Sequence, residues 1–206
     1  MPHAIEVLRE LPGDLDLVAV AVTAEAGDEA GLVGAGLPAG VLVAQGFTGT
    51  ADEVAVVGGA DDAPPLVVIG VGAAAEVDSD RLRRAGAQAV RAARHRSSLG
   101  LRLLDVLPDD VAPGERARCA QALAEGAGLG AYRFSEFRSE PSEEPLERVV
   151  VVSKGGAKVA AAVERGARIA EAQCLARDLV NTPGGSLTPS VLAEAAVEIA
   201  EREDLK

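Results

Sequence analysis

Leu66-Val67-Val68-Ile69-Gly70-Val71-Gly72 is an unbroken apolar run rich in β-branched residues. Such a run suits a strand covered on both faces, as an inner strand of a layered sheet must be. The period then changes. Asp78-Ser79-Asp80 offers N-cap oxygens, and Leu82, Ala85, Ala89 and Ala92 or Ala93 recur every three or four residues, predicting a helix to about His95. Leu99 to Val106 reads as the next strand. Pro113-Gly114-Glu115 opens a helix through Cys119, Leu123 and Ala127 to about Gly130, and Leu146 to Ser153 returns as a strand after a polar loop from Ser139 to Pro145. This alternation of strand and helix is the pattern of an α/β sheet flanked by helices, with largely parallel pairing.

Upstream, Ala4 to Leu8 and Leu15 to Thr23 read as strands. The Gly/Pro-rich stretch 27–40 separates them from residues 41–57, which predict a β-hairpin turning at Thr48-Gly49-Thr50-Ala51-Asp52 and making the sheet mixed. Downstream, a long helix runs from Gly156 to about Val180, with Val159, Val163, Ala167, Ala170 and Cys174 on one stripe and Glu164 and Arg168 paired at i, i+4. It stops at Asn181-Thr182-Pro183. Thr188 and Pro189 then cap a last helix whose stripe of Val191, Leu192, Ala195, Ala196 and Ile199 needs something to pack on. Seventeen residues follow Pro189, so the chain reads as a piece of a longer protein that starts a new unit just before it stops.

Composition sets outer limits. The 206 residues exceed the prior of about 150 per domain. Apolar residues make up 48% but aromatics only 2%, which implies a core of small aliphatic side chains. The formal net charge of −12 argues against phosphate backbones, so nucleic acid is not an expected partner. Residues 1–10 lack a basic segment followed by an apolar one, and the longest small-apolar run, Pro65 to Ala75, falls short of the roughly 20 residues that span a bilayer. A soluble, cytoplasmic protein without membrane contact is expected. Cys119 and Cys174 lie far apart inside helical patterns, without the close Cys or His neighbours of a zinc site; they read as small buried helix residues.

Residues that could carry chemistry each have a plainer reading. Gly70 and Gly72 lack the remainder of a G-x-G-x-x-G phosphate loop and read as a tight strand-to-loop turn. Of the two histidines, His3 and His95, the latter ends an Arg-rich helix, where a surface role at the negative end of the dipole suffices. The acidic pairs Asp61-Asp62, Asp109-Asp110 and Glu143-Glu144 are loop neighbours without metal-ligand spacing. Arg81, Arg83, Arg84, Arg91, Arg94 and Arg96 read as a solvated face paired with acids elsewhere, with an anion or nucleic-acid contact as the sharper alternative. No catalytic, cofactor-binding or metal-binding residue is assigned within these 206 positions.

Three blocks together resemble the leucyl (cytosol) aminopeptidases: Leu66 to Gly72; Glu125-Gly126-Ala127-Gly128-Leu129-Gly130-Ala131-Tyr132-Arg133-Phe134 with Arg138-Ser139; and Ala176-Arg177-Asp178-Leu179-Val180-Asn181-Thr182-Pro183 with Leu187-Thr188-Pro189. The resemblance implies an α/β, mixed, largely parallel, macro-domain-like sheet flanked by helices over 1–155. It implies a long linker helix over 156–182, and over 183–206 the start of a C-terminal catalytic domain that is the chain's own partner. The parent enzyme it implies is a cytoplasmic homohexamer that removes N-terminal residues, preferably leucine, from peptide substrates with two divalent metals, manganese or zinc. The family's metal ligands and catalytic arginine lie beyond the position matching Lys206, so the chain alone is expected to be inactive and to hold no cofactor. The alternative is a free-standing macro-like module that binds ADP-ribose or another nucleotide.

Overall fold

The structure is a computed structural model that describes residues 4–34, 36–59, 63–137 and 146–204. It divides into two compact units, Met1–Glu171 and Ala172–Lys206. The first is built on a six-stranded sheet of order β1-β6-β5-β2-β4-β3. The strands are β1 Ala4–Leu8, β2 Val18–Val22, β3 Val54–Val57, β4 Leu66–Gly70, β5 Ser98–Arg102 and β6 Arg148–Val152. All neighbours pair in parallel except β3 and β4, which are antiparallel with Val54 opposite Ile69 and Val57 opposite Leu66. β4 is the inner strand that its sequence predicts, with Val67, Val68 and Ile69 wholly buried.

Side chains alternate between two faces, as strand geometry requires. Ala19, Val67, Ile69, Leu99, Leu101, Val149 and Val151 face one cluster. α3 (Ser79–Ala92) and α4 (Pro113–Gly130) supply its other half through Leu82, Ala85, Ala89, Cys119, Leu123 and Ala127, with Val159 and Val163 from α5 (Gly156–Asn181). Burying each larger aliphatic side chain is worth roughly 1.5–3 kcal/mol. The opposite face is covered by two six-residue helices, α1 (Glu29–Gly34) and α2 (Ala39–Ala44), which pack Leu32, Ala39 and Leu42 on Val22, Val68 and Ala55. Over β5 and β6 that face is closed by the segment after β1: a Cβ on Gly100 would meet Leu11 at 2.5 Å and Leu15 at 2.7 Å.

α3 and α4 can approach closely because Gly86, Gly126 and Gly130 lie between them. A Cβ on Gly126 would sit 1.8 Å from the Arg83 carbonyl oxygen. This gives the glycine-rich block from Glu125 to Gly130 its structural reason.

Two predicted elements change. Val41 to Ala44 are helical, in α2, so the hairpin predicted over 41–57 does not form; β3 instead hairpins with β4. Leu42 explains this, since at 0% exposure it is the helix's anchor on the sheet, and a short apolar run suits either state until packing decides. The strand predicted to Val106 stops at Arg102, and Leu103–Val106 form a 3-10 turn that buries Leu103 and Leu104. The helix from Ser79 ends at Ala92, capped by Asp78, whose Oδ1 accepts from the Arg81 N–H at 2.9 Å. The polar loop Ser139 to Pro145, and with it Glu143 and Glu144, lies outside the described residues, as do His3, Asp61 and Asp62.

The second unit holds the end of α5 and α6 (Pro189–Arg202). Thr188 Oγ1 accepts from the Val191 N–H at 3.4 Å, the cap read from the sequence. No residue of α6 is buried, and Val191 and Leu192 stand 41% and 47% exposed.

Candidate functional site

Because β1, β6 and β5 run parallel, their carboxyl ends share one edge of the sheet. Open α/β sheets bind ligands at that edge. There, Arg9 and Glu10 leave β1, Arg102 ends β5, and Ser153-Lys154-Gly155 leave β6. These segments enclose a cavity of about 790 Å³ whose apolar wall includes Leu11, Leu104, Leu107 and Val152. Arg116, near the start of α4, also lines it, as does Asp109. The turn into α5 is made by Gly156 at φ +63, a conformation that favours glycine. Ser153 is buried, and its Oγ accepts from the Gly155 N–H at 3.1 Å.

The charges here are unevenly satisfied. Arg102 is held by Asp105 at 2.7 Å. Arg116 donates to the carbonyl oxygens of Pro108 at 2.7 Å and Leu104 at 3.4 Å. Arg9 and Lys154 have no hydrogen-bond or ion-pair partner among the described residues.

A second cavity of about 720 Å³ opens on the sheet face between α1–α2 and the segment after β1, over Val18, Val20 and Leu66. Leu11, Arg102 and Asp105 line both cavities.

The residues weighed from sequence fall elsewhere. Gly72 has φ +78, and its N–H donates to the Gly49 carbonyl at 3.0 Å; a Cβ on Gly70 would lie 2.1 Å from the Thr50 carbonyl oxygen. The space a phosphate would need is filled by the 49–51 turn, which favours the tight-turn reading. On α3, Arg81 pairs with Glu76, Arg83 with Asp80 and Glu125, and Arg84 with Asp52. These three pair with acids as the sequence reading expects, while Arg91 on α3 and Arg94 and Arg96 beyond its end are exposed. His95 is exposed, beside Arg94. Cys119 and Cys174 are both free and buried, and burial pushes both thiols up. Among the described residues, no group of three or more His, Cys, Asp or Glu stands together in a way that could hold a metal ion. No helix is long and apolar enough to cross a membrane among them.

Arg9 and Lys154 were not legible as a pair, since 145 positions separate them. The one local signal is Lys154-Gly155-Gly156 between a strand and a helix.

The first unit is thus a layered α/β domain whose mixed, mainly parallel sheet carries a cavity at its carboxyl edge. The cytosol aminopeptidase family, N-terminal domain, matches residues 32–141, and the chain belongs to that family. It is 36% identical over 175 residues to a probable cytosol aminopeptidase of Rhodococcus opacus, which covers 80% of this chain and 32% of the relative. To that of Corynebacterium efficiens it is 32% identical over 217 residues, covering 96% and 40%. The chain thus spans about a third of the length of the curated relatives it matches. Among solved structures, the bottromycin maturation enzyme BotP in complex with Mn matches with a TM-score of 0.74 at 34% identity, over 91% of this chain and 36% of that one. A tomato leucine aminopeptidase mutant matches at 0.77 over 97% and 42%; at 23% identity it shows the fold alone.

Proposed function

We propose that this chain is the N-terminal, non-catalytic domain of a leucyl aminopeptidase, an enzyme that hydrolyses N-terminal amino acids, preferably leucine, from peptides. The family match over residues 32–141 carries the reading. Residues 1–155 form the domain, 156–182 a linker helix, and 183–206 the beginning of a catalytic domain that is its partner in the same protein. The open apolar stripe on α6 supports that last assignment. The mixed six-stranded sheet supports a macro-like description, and assembly as a cytoplasmic homohexamer acting on peptide substrates follows from the resemblance.

Two divalent metals, manganese or zinc, would generate hydroxide and polarise the scissile carbonyl in such an enzyme. The described residues do not fit that centre, for they offer no donor set for it, so no catalytic step is assigned to them.

The test compares the 206-residue chain with the protein encoded by the whole gene, using leucine p-nitroanilide with added Mn²⁺ or Zn²⁺. Turnover is expected from the latter alone. Robust turnover by the chain itself would overturn the non-catalytic reading, and none from the whole protein would overturn the aminopeptidase reading.

A further inference from the structure

Beside the Arg102–Asp105 pair, the cavity at the carboxyl ends of β1, β5 and β6 holds further charges of both signs that do not meet. Arg9 and Lys154 lack ion-pair partners among the described residues, and Arg116 reaches only backbone carbonyls. Glu10 and Asp109 line the same cavity and are also without a cationic partner among the described residues. Other cations do find carboxylates, as Arg102 in this same cavity does with Asp105 at 2.7 Å and Arg148 outside it with Glu6 at 2.5 Å. An aliphatic wall that includes Leu11 and Leu107 lines the same cavity.

A purely anionic ligand would leave Glu10 and Asp109 opposed to it, and a cation would meet the three basic groups. A ligand carrying one charge of each sign satisfies both sets. The aliphatic wall suits apolar side chains on such a ligand, and about 790 Å³ falls within the range of roughly 300–1,000 Å³ typical of small-molecule sites.

We infer that this cavity is a binding site for a short zwitterionic peptide with aliphatic side chains. Its carboxylate is taken by Arg9, Arg116 and Lys154, its ammonium by Glu10 and Asp109, and its side chains by the leucine wall. The inference goes beyond the aminopeptidase reading: it adds a second, non-hydrolytic peptide site on the N-terminal domain, and binding here needs no metal. Solvent-exposed charges contribute little each, so a dissociation constant of about 0.1–1 mM is expected.

The experiment is a chemical-shift titration of the 206-residue chain in EDTA with the dipeptide Leu-Leu, N-acetyl-Leu-Leu and Leu-Leu-amide. Leu-Leu is expected to give saturable shifts at the amides of Leu11, Asp109 and Gly155, while each blocked peptide binds at least about five-fold more weakly. The Arg9→Ala/Lys154→Ala variant changes two exposed side chains and is expected to weaken Leu-Leu about ten-fold with the rest of the spectrum retained. No saturable shift at these amides, or equal binding of all three peptides, overturns the site. If the variant loses its spectrum, the blocked peptides still decide. Because nothing is hydrolysed in EDTA, failure here leaves the aminopeptidase reading intact, and failure of the anilide assay leaves this one.

Discussion

Arg83 on α3 directs its Nε to Oε2 of Glu125 on α4 at 2.9 Å, pairing the one charged residue that is buried among the described residues. Gln121 donates to the other carboxylate oxygen at 2.8 Å. A carboxylate between two helices is tolerated only when both oxygens are engaged. Burial works against the Arg83 charge, but Glu125 and Asp80 outweigh it and raise the guanidinium pKa.

Arg83→Met is therefore expected to destabilise the domain by about 2 kcal/mol, below the full cost of a buried pair because the Arg83 side chain is 38% exposed. Glu125→Gln should cost less, since a neutral amide leaves no unpaired charge. Urea unfolding of both single variants and the double variant reads the coupling directly.

Close helix packing predicts a contrast between two glycines of α4. Gly126→Ala places a methyl 1.8 Å from the Arg83 carbonyl oxygen, backbone that cannot move without parting the helices. A loss of about 3 kcal/mol is expected. At Gly114 the nearest atom is the Lys158 Nζ at 3.9 Å, so Gly114→Ala should be neutral or stabilising by up to about 0.5 kcal/mol. Thermal melts of the two variants decide it.

Acid should weaken the start of β5. Burial alone would raise the Asp16 carboxyl, but N–H groups of Ser98 and Ser97, each at 2.9 Å, the Ser98 hydroxyl and the charge of Arg96 hold it below its ordinary 3.8. A pKa lower in the folded state means that the contribution is present above 3.8 and is lost as pH falls through the lower folded value. The stability gap between the parent chain and Asp16→Asn should thus be constant from pH 5 upward and close below about pH 3.8. Urea midpoints at pH 6 and pH 3 measure it.

In the second unit, Thr188→Ala removes the side-chain acceptor of the Val191 N–H. At 3.4 Å the bond is long, so the expected loss is about 0.5–1 kcal/mol of local helix stability. Hydrogen exchange at Val191 should accelerate a few-fold, with amides of β4 unaffected.

Much of the fold was legible because several elements carry periodic, capped patterns. Leu66 to Gly70 read as an inner strand from its β-branched apolar run, and Asp78, Pro113 and Thr188 marked helix starts by local chemistry that tertiary contacts did not override. Val41 to Ala44 was not legible. Its apolar run is too short for a period, and Leu42 settles it by packing on Val22 and Val68. The candidate site was the least legible, because Arg9, Asp109, Arg116 and Lys154 come from four separate segments, each ordinary on its own.

The sequence by itself determined the layered α/β class, the long helix from Gly156, the cap at Thr188 and the family, since these rest on local propensity, periodicity and contiguous blocks. Only the tertiary structure decided that β3 pairs with β4, that Arg83 meets Glu125, and that unpaired charges of both signs share one cavity. Those facts depend on which strands become neighbours and which ends share an edge, and parallel crossovers bring together residues that no local pattern connects.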